Sequence, residues 1–211
     1  MRYTFWWFAY IAILLLPVVV ALFKWKGKEF FFLAAYLSGY VFTEITTNYI
    51  FPKGVPNHFI YATSMIVTSL FLFAHYSSIV TQYSSIVAWA VLFGLLLFFY
   101  VAHQMWLPGT LLPVKYLAGY YIVHAVAALL FIWKLVTRQN SNAHRPLWFG
   151  AALLVYFVLA LANVSIEFAE VLGPADKVYF FWAFHLLNVV FYLVLAALLI
   201  KLPKAAQETV G

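Results

Sequence analysis

The chain has 211 residues, 67% of them hydrophobic and 9% charged, with a net charge of +6 and a mean hydropathy of +0.97. Soluble domains carry about 25% charged residues, and no polar block here is long enough to form one, so residues 1–211 read as a single transmembrane helical domain. The basic residues flank apolar runs instead of forming a stripe, which excludes nucleic acid as a partner, and the absence of cysteine excludes disulfides, thiolate chemistry and Cys-ligated metals.

The first element covers about 3–23. A basic residue opens it, but the apolar run is long, aromatic and ends in Lys24, Lys26 and Lys28. No small-residue cleavage site follows, so it reads as a retained span and not a signal peptide. The second, about 29–51, places Tyr36, Tyr40, Glu44 and Asn48 at intervals of four, on one helical face. It stops at PKGVPN. The third and fourth, about 58–80 and 84–103, are parted by the short and only mildly polar TQYSS. HQMWLPGTLLP then leads to the fifth, about 113–134, with Tyr116, Tyr120 and His124 in register. RQNSNAHRP precedes the sixth, about 147–171, whose stripe holds Tyr156, Asn163, Glu167 and Glu170. LGPAD precedes the seventh, about 177–200, with Trp182, His185, Asn188 and Tyr192 on one stripe. Each run has about the 20 residues that cross a bilayer as a helix. The breaks between them are rich in proline, glycine and polar residues. The expected fold class is therefore an all-α integral membrane protein, a bundle of seven transmembrane helices.

The basic residues orient the bundle. Lys24, Lys26, Lys28, Lys134, Arg138, Arg145, Lys201 and Lys204 fall on one side. Arg2, Lys53, Lys115 and Lys177 fall on the other. The positive-inside rule makes the richer side cytoplasmic, which gives an N-out, C-in topology in the plasma (inner) membrane. The second and sixth helices each carry a Glu/Asn pair one turn apart near the outer end, then a Pro/Gly loop, then an aromatic helix. That pattern points to a 3+1+3 internal repeat, an organisation common among transporters.

A carboxylate in hydrocarbon is costly and rarely faces lipid. At about 1.5 Å per residue, Glu44, Asn163 and His185 lie in one layer, roughly 10–12 Å from the outer boundary. Glu167 and Asn48 lie nearer the surface, and Asn188 and His124 deeper. Unpaired polar groups at such depth should find one another. We therefore expect a ligand-binding pocket formed by Tyr40, Glu44, Asn48, His124, Asn163, Glu167, His185 and Asn188, open to the outside. Glu44 and Glu167 would respond to protons or cations. His185, Asn163 and Asn188 would orient a ligand or relay protons.

This reading implies a small membrane protein that binds a small molecule or ion as a transporter or sensor. Its partners would be the bilayer, the ligand, and either a membrane-protein partner or further copies of itself. The span count and 3+1+3 layout resemble the small sugar transporters of the SWEET class, which implies a sugar as cargo; the Pro-Gln dipeptide of that class does not occur. The alternative is a membrane-embedded enzyme acting on a lipid or isoprenoid. Glu44, Glu167 and His185 would suit metal-assisted hydrolysis, as in the seven-span ceramidase-type hydrolases, although no HExxH or other paired-histidine spacing occurs. The segment YFFWAFHLLNVVFYLVL, residues 179–195, resembles the final helix of emopamil-binding sterol isomerases. That implies a double-bond shift assisted by buried carboxylates. A third reading is an accessory subunit of a membrane complex. Bis-histidine haem ligation would rest on His124 and His185, whose depths differ by about 4 Å. A retinal site lacks its lysine, because the last helix has none before Lys201. No cofactor is identified by these residues.

Overall fold

The computed structural model describes residues 5–24, 28–46, 58–80, 83–106, 114–137, 144–167 and 173–201. They form seven helices: α1 (Phe5–Lys24), α2 (Lys28–Ile45), α3 (His58–Ile79), α4 (Tyr83–Trp106), α5 (Val114–Thr137), α6 (His144–Glu167) and α7 (Pro174–Lys201). Each expected span coincides with one of these helices. The short TQYSS break is also observed: α3 ends at Ile79 and α4 starts at Tyr83. Asn48 and Glu170 lie outside the described residues, as does the side chain of Glu167.

Five stretches are long and apolar enough to cross a membrane: Trp6–Phe23, Ala62–Ile79, Leu117–Thr137, Pro146–Ser165 and Trp182–Lys201. Phe30–Ile45 and Ile86–Phe98 are apolar but shorter. Burial carries the same message. Phe23, Phe98 and Leu186 are 85%, 65% and 64% exposed. Glu44, Thr68, Ser69, His75, His124 and Asn188 are buried. Large apolar side chains outside and polar ones inside invert the soluble pattern. They fit a surrounding solvent that is itself hydrocarbon.

Packing contacts run from each helix to the next and return from α7 to α1. Aromatic side chains fill the interior. Tyr40 of α2 meets Tyr192 of α7, with ring centroids 5.7 Å apart. Tyr76 of α3 stacks on Phe131 of α5 at 4.5 Å, and His75 packs edge-on to Phe149 of α6 at 5.1 Å. Offset and edge-on aromatic pairs contribute about 0.5–1.5 kcal/mol beyond area burial. Between α3 and α4, the hydroxyls of Thr63 and Tyr100 are hydrogen-bonded at 2.9 Å.

Two glycines mark the tightest approaches. A Cβ on Gly150 would lie 2.9 Å from Phe131 Cδ1 and 3.0 Å from Ile132 Cγ1, so α5 and α6 pack through that position. A Cβ on Gly39 would lie 2.6 Å from Thr68 Cγ2, closer than atoms tolerate. Thr68 has little room to yield, because it is buried and its Oγ1 donates to the Met65 carbonyl at 3.0 Å. Small residues let membrane helices approach closely, and dispersion replaces the missing hydrophobic drive. Gly39→Val is therefore expected to destabilise by about 1–3 kcal/mol, the usual cost of overpacking. Gly94→Ala is the control: a Cβ there meets nothing within 4 Å, and thermal unfolding in detergent should show no loss. Equal loss from both variants would sink the close-packing account of Gly39.

Candidate functional site

Polar groups of α1, α6 and α7 form one hydrogen-bonded network in the interior, with Tyr40 and Glu44 of α2 beside it. Asn188 of α7 is its centre and is 1% exposed. The Tyr156 hydroxyl, from α6, donates to Asn188 Oδ1 at 2.7 Å. Asn188 Nδ2 donates to the Tyr10 hydroxyl, from α1, at 3.2 Å. Tyr40 of α2 lies near Tyr156 and near the carboxyl of Glu44, one turn further along the same helix. Glu44 is 8% exposed and lies close enough to Tyr10 and Tyr192 to act on both electrostatically. The local reasons are simple. Tyr40 and Glu44 share a face at an interval of four, and α6 and α7 run antiparallel, which brings Tyr156 level with Asn188.

His185, one turn before Asn188, sits at the edge of the network. Its ring is 5.1 Å from that of Tyr10, 6.3 Å from Trp7 and 6.2 Å from Trp182. The α7 stripe thus passes from the outside to the inside: Trp182 is exposed, His185 half-buried, and Asn188 and Tyr192 buried. Tyr10 stands between Glu44 and His185.

His124 is placed differently. It is fully buried between the rings of Tyr120 at 4.0 Å, Phe157 at 5.0 Å and Phe73 at 5.4 Å. Its Nδ1–H donates to the Tyr120 carbonyl, four residues back, at 2.9 Å. A carbonyl can only accept, so this bond fixes the tautomer. Nε2 has no hydrogen-bond partner. His124 is thus held by packing on the α3/α5/α6 side, and its aromatic neighbours are not members of the Asn188 network. Asn163 is half-buried and its Nδ2 has no partner. Of the expected pocket residues, the structure brings Tyr40, Glu44 and Asn188 together, with His185 adjoining. It leaves His124 and Asn163 outside the hydrogen-bonded set, while Asn48 and the Glu167 side chain fall outside the described residues.

Tyr10 was not among the expected pocket residues. Its signal is the spacing of Trp7, Tyr10 and Leu14 along α1, three and four residues apart, of which Tyr10 and Leu14 are buried. Beside the network, Tyr36, Tyr40, Thr43, Thr68, Tyr120 and Tyr156 line a cavity of about 10 Å³, the room of roughly one water molecule. A ligand larger than water enters this cavity only if the tyrosines move. Among the described residues, no three His, Asp or Glu side chains come together as a metal site.

What the arrangement can do follows from its groups. Glu44 offers an acceptor for a cation or a proton. Tyr40, Tyr156, Asn188 and Tyr10 provide alternating donors and acceptors that can reorient, in a medium where each bond is little screened. Compared with known proteins, the chain matches no family model, no curated protein and no solved structure.

Proposed function

We propose that this is a small polytopic membrane protein in which all seven helices span the bilayer, N-out and C-in, in a 3+1+3 arrangement. It binds a small molecule or ion at the interior polar network, entered from the outer side, and works as a transporter or membrane sensor. One observation carries this reading. A buried carboxyl, Glu44, lies near Tyr40 and beside a network that ties three helices together. Intramembrane ionisable residues mark ligand or ion pathways by default, because mere packing is achieved more cheaply with apolar groups. The small size of the cavity beside the network fits an occluded state, which alternating access requires between its open ones. Glu44 receives the cationic part of the ligand, and His185 with Tyr10 forms the outer gate.

The direct test is saturable binding to the purified chain, read as a shift in unfolding temperature across inorganic cations, amines, amino acids and sugars. A compound that stabilises wild type saturably, and whose effect depends on Glu44, supports the reading. A complete absence of stabilising compounds counts against it. The topology has its own check. A reporter at residue 1 is expected outside the cytoplasm and one at residue 211 inside. Both reporters on one side would require an even number of crossings and would remove a span.

A further inference from the structure

A second feature lies on the opposite side of Tyr156 from the network. Between α6 and α7 runs an apolar groove of about 340 Å³, reaching from Trp148 to Leu159 on one helix and from Leu187 to Leu198 on the other. Tyr156 and Phe191, stacked at 4.0 Å, line it too. Each wall spans twelve residues, so the groove extends about 16 Å along the helices. It is long, narrow and apolar on both walls, the shape of a seat for one extended hydrocarbon chain.

The ends of the groove differ. At the Trp148/Leu198 end, α6 begins with His144 and Arg145, and α7 finishes at Lys201, three residues after Leu198. Lys201 is exposed. The Leu159/Leu187 end has no lysine or arginine within three positions on either helix; His185, two residues before Leu187, packs on Tyr10. Cationic residues beside an intramembrane groove select anionic headgroups, and this end is the one that the positive-inside rule puts at the cytoplasmic leaflet.

We propose that the α6/α7 groove is a specific site for an anionic phospholipid of the cytoplasmic leaflet. One acyl chain lies between Trp148 and Leu159, and the headgroup sits at the end of the groove where α6 carries Arg145 in its first turn and α7 ends at the exposed Lys201. The chain touches Tyr156, whose hydroxyl bonds Asn188, so lipid and polar network share a side chain. The site does not depend on what the network binds.

The test uses the full chain purified in detergent, with phosphatidylglycerol and phosphatidylcholine of identical dioleoyl chains, and oleic acid as the chain without the headgroup. Native mass spectrometry should retain one phosphatidylglycerol per chain, bound about thirtyfold more tightly than phosphatidylcholine, the selectivity that two interfacial basic residues supply. The double variant Arg145→Gln/Lys201→Gln leaves the groove intact and should bring phosphatidylglycerol down to the phosphatidylcholine level. Ala151→Phe fills the groove and should abolish retention of both. Equal binding of the two phospholipids by wild type would overturn the proposal. So would oleic acid matching phosphatidylglycerol, which would make the occupant a free fatty acid. A fall in oligomeric mass for Ala151→Phe would overturn it differently, by assigning the groove to a second copy. If Ala151→Phe does not fold, the charge variant and the lipid comparison decide the question.

Discussion

Asn188→Leu is expected to lower the stability of the purified protein by about 2 kcal/mol, whereas Asn163→Leu leaves it within about 0.5 kcal/mol of wild type. Both substitutions remove a carboxamide from the inner face of a helix and replace it with a side chain of similar size. The difference lies in what each amide holds. Asn188 accepts from Tyr156 at 2.7 Å and donates to Tyr10 at 3.2 Å, so its loss strands two hydroxyls in an interior with room for about one water. A buried polar group left without its partner costs about 1–3 kcal/mol, while single interhelical hydrogen bonds in membranes average about 0.6 kcal/mol. Two such bonds plus a stranded hydroxyl give the figure above. At the size of this chain it corresponds to an unfolding temperature lower by about 4–8 °C. Asn163 has no partner for its Nδ2, so leucine there removes an unsatisfied donor and gives up little. Tyr156→Phe should cost less than Asn188→Leu, because Asn188 keeps Tyr10. The Tyr156→Phe/Asn188→Leu double variant should be less destabilised than the sum of the two, by roughly 1 kcal/mol. Strict additivity would mean that the Tyr156–Asn188 bond contributes nothing, and equal losses at Asn163 and Asn188 would refute the network.

These two asparagines also show what a sequence of this kind reveals. Helix positions were legible because each run of about 20 apolar residues must satisfy its own backbone, and the breaks carry proline, glycine or charge. All seven helices lie where those patterns put them. The burial of Glu44 and Asn188 was legible for the same reason: a polar side chain in such a run has nowhere else to go. Partnership was not. Depth along a helix follows from counting residues at a fixed rise, but azimuth depends on which neighbour each face meets. Asn163 and Asn188 both sit among leucine, valine and alanine, yet only Asn188 faces the junction of α1, α6 and α7. His124 faces Phe73 and Phe157 instead, although its depth suited the pocket. Tyr10 carries no such signal, because α1 is strongly apolar and has no carboxylate, amide or histidine to mark a polar face. The closing contact of α7 on α1 gives Tyr10 its place, and nothing local in the sequence encodes that contact.

The larger effect is expected at Glu44, and on function instead of stability. Glu44→Gln keeps the size and shape of the side chain, so the protein should fold and unfold at close to the wild-type temperature. What it loses is the charge. In a water-poor interior a carboxylate facing a bound cation is little screened, and removing one member of a buried charge pair costs about 2–5 kcal/mol. The affinity for a cationic ligand that stabilises wild type should therefore fall by at least about thirtyfold, at 1.4 kcal/mol per factor of ten. Tyr40→Phe should weaken the same ligand by roughly tenfold or less, because it removes a hydroxyl near the carboxylate and leaves the charge in place. His124→Phe should not change affinity, because His124 makes no hydrogen bond to the network. The measurement is a ligand titration of each variant, followed by unfolding temperature in detergent and repeated as uptake in proteoliposomes. The graded order Glu44, Tyr40, His124 is the signature of a carboxylate acting as the ligand's counter-charge. If Glu44→Gln binds like wild type while Tyr40→Phe or His124→Phe does not, the ligand is held by the tyrosines or the histidine, and Glu44 only ties α2 into the interior.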